Sequence, residues 1–366
     1  MRRLLLALAF AASSPFAAAD IVIGQTSGFT GAVASGVKET TEGARLYLDL
    51  VNRQGGVHGQ KLELVSLDDK FEPKLAAANA QALIDRGAIA LFLNRGTPHT
   101  EAIAPLLAAN RIALVAPSTG AMILHHPVNP WIFNVRAPYQ RETEKAVTQL
   151  ASMSITRIAL VHVDDSFGAD CATGARKGFE QVKLQPAALL KFDRSRPDFA
   201  PIAEAVAKSN AQAVIFIGAA NAVVDGTKAI RAKGSKAQIV TVSNNASGGF
   251  IQQMGAYSHG TIVTQVFPHE RSLGAPIVKE ASDLAKAKGL PGVTPAMLEG
   301  YAGAKVLVEG LRRAGPNPTR QKLRDALEGM HQVNIGGLEV TYGPNRHTGL
   351  EYADLSIIGA DGKFRR

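Results

Sequence analysis

Three loops carry the side chains best suited to holding a small anion: Gln25-Thr-Ser-Gly-Phe-Thr-Gly31, Asn94-Arg-Gly-Thr-Pro-His-Thr100 and Ala116-Pro-Ser-Thr-Gly-Ala121. Each places small hydroxyl residues and free backbone N–H groups just ahead of a helical run, a combination that suits a carboxylate. The same residues also serve as ordinary helix caps, and spacing alone does not separate the two roles. Covalent chemistry has weaker claims. Asp68-Asp69 and Asp164-Asp165 are acidic pairs of the kind glycosidases use, but strand-end aspartates more often cap helices or line a polar cleft. The glycines between Gly28 and Gly36 follow neither G-x-G-x-x-G nor the Gly-Lys-Ser/Thr ending of a phosphate loop, and no G-x-S-x-G elbow occurs. The nine histidines include His125-His126 but no H-x3-H or H-E-x-x-H pair. No catalytic constellation, metal site or cofactor is therefore expected. Cys171, the single cysteine, cannot form an internal disulfide and reads as a small buried hydrophobe.

The elements that must position these loops alternate along the chain. Ile21 to Gly24 reads as a strand, Lys38 to Arg53 as a helix stopped by Gly55-Gly56, and Leu62 to Leu67 as a strand. A helix opened by Pro73 runs to about Arg86. Ala88 to Leu93, a helix after Pro98, and Ile112 to Val115 continue the beat. It restarts after Arg136 with helix 143–152, strand 157–163, helix 167–181, strand 213–218, helix 223–233 and strands 238–242 and 260–266. Helices 297–314 and 319–327 and strands 338–341 and 352–358 close the chain. This alternation predicts an α/β fold with mostly parallel sheets and helices on both faces, in which ligands bind beyond the carboxyl ends of the strands.

Gross features bound the rest. Arg2 and Arg3, the apolar run Leu4 to Ala12 and Ala17-Ala18-Ala19 form the three parts of a secretory signal, with cleavage expected after about Ala19 and export to the periplasm. The apolar run is too short to span a bilayer, which takes roughly 20 residues. About 347 residues remain (366 less 19), enough for two lobes with separate cores. The formal charge of +9 becomes +7 without Arg2 and Arg3, and the basic residues are dispersed rather than clustered. Nucleic-acid binding is not expected.

The sequence resembles the type I periplasmic binding proteins, in the branched-chain amino-acid (leucine/isoleucine/valine) branch that serves ABC transporters. The resemblance rests on Ile23-Gly-Gln-Thr-Ser-Gly28, Glu42-Gly-Ala-Arg-Leu-Tyr-Leu48, Val51-Asn-Arg-Gln-Gly-Gly-Val-His-Gly59, Ala116-Pro-Ser-Thr-Gly120, Phe133-Asn-Val-Arg136, Asp165-Ser-Phe-Gly168 and Glu299-Gly-Tyr-Ala302, in order along nearly the whole chain. It implies two Rossmann-like lobes, 20–137 with 267–345 and 138–266 with 346–366, joined by three hinge crossings near 137, 266 and 345. It also implies a solute-capture role without catalysis, a monomer closing on its ligand, and a membrane permease/ATPase complex as partner. A sensing module of the same fold, reporting to a membrane receptor or kinase, is the alternative.

Carried over residue by residue, the resemblance makes Thr97 the hydroxyl that holds a ligand carboxylate. It adds Ser118, Thr119 and Gly120 from the next loop, with Gly120 in place of a usual threonine. Phe167 stands where a tyrosine is common, and Phe29, Ser35 and Gln265 complete the expected contacts. The glutamate that pairs an amino-acid ammonium falls at about Ser243, and a family tyrosine at about Ala220. The carboxylate grip is kept and the ammonium grip lost, which implies an aromatic or short organic acid as ligand. Asp225 or Asp164 would serve the ammonium if the alignment were displaced.

Overall fold

The computed structural model describes residues 19–366; apart from Ala19, the leader read at 1–19 lies outside the described residues. The first lobe runs β1 (Ile21–Ser27), α1 (Ala34–Arg53), β2 (Leu62–Asp68), α2 (Pro73–Asp85), β3 (Ala90–Phe92), α3 (Thr97–Asn110), β4 (Ala113–Val115) and β5 (Ile132–Phe133). The second runs α4 (Tyr139–Ser152), β6 (Ile158–Val163), α5 (Ser166–Gln181), β7 (Ala188–Phe192), α6 (Ala200–Lys208), β8 (Ala213–Ile217), α7 (Ala220–Ala232), β9 (Gln238–Thr241), α8 (Gly248–Met254) and β10 (Ile262–Gln265). Then follow α9 (Pro276–Ala287), α10 (Pro295–Ala314), α11 (Arg320–Glu328), β11 (Val333–Asn334), β12 (Glu339–Val340), β13 (Asp354–Ile358) and β14 (Phe364–Arg365).

One sheet is ordered β2-β1-β3-β4-β5 and is parallel throughout. The other is ordered β14-β13-β10-β9-β8-β6-β7, parallel from β10 to β7 and closed by an antiparallel hairpin. β3, β4 and β8 are apolar and wholly buried along their length, and β6 is wholly buried and apolar but for His162, as strands covered by helices on both faces must be. Among the described residues no helix is long and apolar enough to cross a membrane.

The two motifs Glu42-Gly-Ala and Glu299-Gly-Tyr meet in space. A Cβ on Gly43 would fall 1.9 Å from the Met297 carbonyl oxygen, and one on Gly300 would fall 1.8 Å from that of Thr40. The glycines therefore let α1 and α10 cross backbone to backbone, which seats α10 in the first lobe although it follows the second in sequence.

The chain passes between the cores three times. Ala137 belongs to the first core and Tyr139 to the second; Val263 belongs to the second and Val266 to the first. The third passage, expected near 345, lies beyond Leu350, which still packs in the first core while Ile358 is in the second. Backbone bonds hold residues 347–350 to the first lobe: the Asn134 N–H donates to the His347 carbonyl at 2.9 Å, the Gly349 N–H to that of Asn134, and the Leu350 N–H to that of Val135.

Candidate functional site

β3 and β4 both end in a sharp turn through a left-handed residue, Leu93 (φ 51°) and Ala116 (φ 52°). Non-glycine residues adopt that region at a cost of about 1–2 kcal/mol, and here it turns both following loops toward the second lobe. The loops brace each other: the Ser118 N–H donates to the Asn94 carbonyl at 2.8 Å, and the Thr97 and Thr119 hydroxyls share a hydrogen bond of 2.8 Å. Between the lobes they wall a narrow cavity of about 20 Å³, room for roughly one water. Arg95, Gly96, Thr97 and Ser118 line it from the first lobe, with Val33 and Phe71. Tyr139, Phe167, Arg194, Ala219 and Asn244 line it from the second.

Arg95 dominates the electrostatics. It is 6% exposed, and its guanidinium donates across the cleft to the Asn244 carbonyl. Among the described residues no carboxylate lies within ion-pair distance of it. Burial lowers its pKa, only partly offset by the fields of Tyr139 and Glu299. The Ser118 hydroxyl beside it is buried without a hydrogen-bond partner, as is Asn244 Oδ1. Buried polar groups are normally paired; the guanidinium and the Ser118 hydroxyl can both donate to an anion, whereas Asn244 Oδ1 can only accept.

Two of the carboxylates nearby are committed to other arginines, and Glu299 stands 3.9 Å from Arg136 with Oε1 buried and without a hydrogen-bond partner. Asp165 accepts from Arg194 Nε at 2.7 Å and from the Gly168 N–H at 3.1 Å. Glu142, fully buried, pairs with Arg136 and accepts from the Ser243 N–H at 2.9 Å, the Ser243 hydroxyl at 3.0 Å and the Thr264 hydroxyl. Burial opposes the Arg136 charge, but Glu142, Tyr139 and Glu299 together outweigh it and raise that pKa above the ordinary guanidinium value. Asp164 and Asp225 lie mainly in solvent beside Lys191 and Lys228, so neither reaches the cavity.

The remaining walls are aromatic. Tyr139 meets Phe167 edge-on at 4.9 Å, and Arg136 lies 4.4 Å over the Tyr139 ring. Burial, against the field of Arg136, pushes the Tyr139 phenol up to about 12. Phe71 is stacked between His99 at 4.3 Å and the Arg194 guanidinium at 5.2 Å.

The residues expected from sequence divide into two groups. Thr97, Ser118 and Phe167 line the cavity, Thr119 stands directly behind Thr97, and Ala220 follows the lining residue Ala219. The other five lie outside the lining. Ser243 is taken up by the Arg136–Glu142 pair. Ser35 abuts α8 and accepts from Gln253 Nε2 at 3.2 Å. Phe29 packs with Val33, Val37 and Ala219 in a small apolar cluster. Gln265 ends β10 opposite Asp354. Gly120 faces the first crossing, where its carbonyl accepts from the Tyr139 N–H and a Cβ would fall 2.7 Å from the Ala137 oxygen. A threonine has no room there. Gly120→Thr is expected to lower stability by about 1–3 kcal/mol, read as a shift in the urea unfolding midpoint.

Sequence reasoning missed Arg95, Phe71, Tyr139, Arg194 and Asn244. Arg95 stood inside a loop singled out for its hydroxyls, and an arginine two residues after the apolar run Ala90–Leu93 was the available signal.

Two buried histidines give the protein a measurable pH response. Burial pushes His99 down to about 4 and His125 to about 3 from an ordinary 6.5. Both are neutral in the fold, whereas the unfolded chain takes up their protons as the pH falls below 6.5. Their contribution is therefore full above 6.5 and lost on acidification. His125 also bonds Thr348 Oγ1 through Nδ1 at 2.7 Å, which asparagine can imitate. His125→Asn is expected to gain stability relative to the parent between pH 7.5 and pH 5, checked by thermal melts.

A family profile described as "Periplasmic binding protein" matches residues 20–362. The Leu/Ile/Val-binding protein BraC3 of Rhizobium johnstonii is 25% identical, over 93% of this chain and 91% of the relative. A Leu/Ile/Val-binding protein homolog 3 of Brucella melitensis is 23% identical, over 93% and 92%. A substrate-binding periplasmic protein from Ralstonia solanacearum superposes with a TM-score of 0.86 at 28% identity, covering 94% of this chain and 99% of that one. These relatives are solute-binding proteins and not enzymes, in keeping with a cleft built to hold a solute. Two parallel-sheet lobes closing on one small buried cavity, matched over almost all of the described chain, make this protein a member of the periplasmic binding protein family.

Proposed function

We propose that the protein is the periplasmic capture component of an ABC importer, and that its solute is a small monocarboxylate, aromatic or short-chain, rather than a branched-chain amino acid. Arg95 is the observation that carries this reading. A buried guanidinium without a carboxylate partner costs several kcal/mol, and a ligand carboxylate offsets that cost with charge-assisted hydrogen bonds. Ser118, with its open hydroxyl, supplies a further donor, and Thr97 stands beside it. The solute's remaining bulk meets Tyr139, Phe167 and Phe71, aromatic walls that suit an apolar ring or a short chain.

An α-ammonium finds no carboxylate among the lining residues, and Asp165 and Glu142 are each held by an arginine. The relatives named for leucine, isoleucine and valine set the competing expectation. Capture proceeds by hinge closure of a monomer, and the closed form is what a permease/ATPase complex would recognise. Titration calorimetry with benzoate, 4-hydroxybenzoate, L-leucine and L-valine tests the reading. Binding of the acids with little or no heat from the amino acids is expected; tight leucine or valine binding without benzoate binding would sink it.

A further inference from the structure

We propose that Glu39 sets the affinity of the protein without touching the solute, by latching the closed cleft. The inference rests on the hinge closure read above and is independent of which solute is captured. Glu39 lies on α1 in the first lobe, and its carboxylate reaches the second lobe where α8 begins. Oε2 accepts from the Gly248 N–H at 3.0 Å and Oε1 from the Gly249 N–H at 2.8 Å. The Thr294 hydroxyl, at the start of α10, donates to Oε2 at 2.7 Å and fixes the carboxylate's orientation. An ionised acceptor gripping two backbone N–H groups is a strong form of hydrogen bond. With the lobes apart, both partners return to water. The contact therefore exists in one state and not the other, the requirement for any group that shifts such an equilibrium.

Two further features place the latch in the same strap. The Ala296 N–H of the first lobe donates to the Ala246 carbonyl at 3.0 Å, and Arg95 donates to that of Asn244. Residues 244–249 are thus held at four points by the first lobe, starting at the cavity wall. Gly249 makes the approach possible: a Cβ there would fall 2.3 Å from Ser35 Cβ and 2.7 Å from its hydroxyl. In an open protein nothing from the first lobe would oppose that methyl, and alanine favours the helix.

The test measures closure directly. Nitroxide labels on cysteines replacing the exposed Lys74 of the first lobe and Lys208 of the second report the inter-lobe distance by pulsed electron resonance. The buried Cys171 stays unlabelled. Samples are taken without solute and with saturating benzoate or L-leucine. The parent is expected to gain a short-distance population with whichever probe binds. Glu39→Gln and Gly249→Ala should lose most of that population and weaken the probe's affinity about tenfold, through faster dissociation, with the ligand-free melting temperature unchanged. Ser35→Gly combined with Gly249→Ala removes the clash from the other side and should restore closure. Closure by leucine alone would defeat the monocarboxylate reading and leave this test intact. The latch is overturned if both single variants close as the parent does, if the double variant fails to recover, or if the parent shows no short-distance population under any condition.

Discussion

Arg95→Met is expected to weaken benzoate binding by roughly 100-fold or more, since truncating one partner of a buried charge pair costs about 2–5 kcal/mol. Methionine keeps the length and apolar stem of arginine while removing the charge and the bond to Asn244. The ligand-free protein should melt no lower than the parent, because an unpaired buried cation is replaced by a side chain that needs no partner. That separates a lost ligand contact from a damaged fold. Arg95→Lys should fall between, at about tenfold weaker: a single ammonium cannot hold the Asn244 carbonyl and a carboxylate in the bidentate geometry a guanidinium allows. Calorimetric titration alongside thermal melts checks both parts. Unchanged benzoate affinity in Arg95→Met would remove the reason for assigning the solute's carboxylate to this cavity.

The largest loss of stability is expected from Glu142→Ala. The carboxylate is fully buried and accepts from Arg136 at the first crossing, Ser243 after β9 and Thr264 in β10. Its removal leaves a buried guanidinium facing only Glu299 at 3.9 Å and strands two hydroxyls and a backbone N–H. Breaking such a pair from one side costs about 3–5 kcal/mol, measurable as a drop in the urea midpoint with little change in slope. Replacing both partners, Arg136→Met with Glu142→Leu, should cost far less than the two single variants together, because no charge is left uncompensated. A double variant as unstable as that sum would show that the pair's worth lies in packing rather than in charge. The same site explains why Ser243 is not free for a solute. Ser243, expected from the sequence at the place of an ammonium-binding glutamate, instead completes with its hydroxyl and N–H the shell of a glutamate from α4.

Much of the architecture was legible along the chain. The apolar strand runs, Pro73 at a helix start and the glycine pair after α1 are local signals, and they placed the parallel beat and the loops at its strand ends. α1 begins four residues before the position expected from its pattern, and α4 likewise, since a helix's first turn is defined by its packing more than by its composition. β7, α6, α8 and α9 went unread. β7 is an edge strand with alternating exposure, and α6 and α8 are short. Their apolar patterns gain meaning only against the sheet they cover.

The sequence by itself determined the class of the molecule and two of the loops that wall the cavity, because hydrophobic period, turn residues and helix caps act over a few neighbouring positions. Tertiary structure alone decided what those loops can hold. Arg95 lines the cavity unpaired because its guanidinium meets a carbonyl 149 residues away and no carboxylate, while Arg136 and Arg194 find theirs in Glu142 and Asp165. The three arginines are the same residue in the sequence. Burial and the distance to the nearest opposite charge, both set by the meeting of distant segments, separate a cation paired within the fold from one left without a carboxylate.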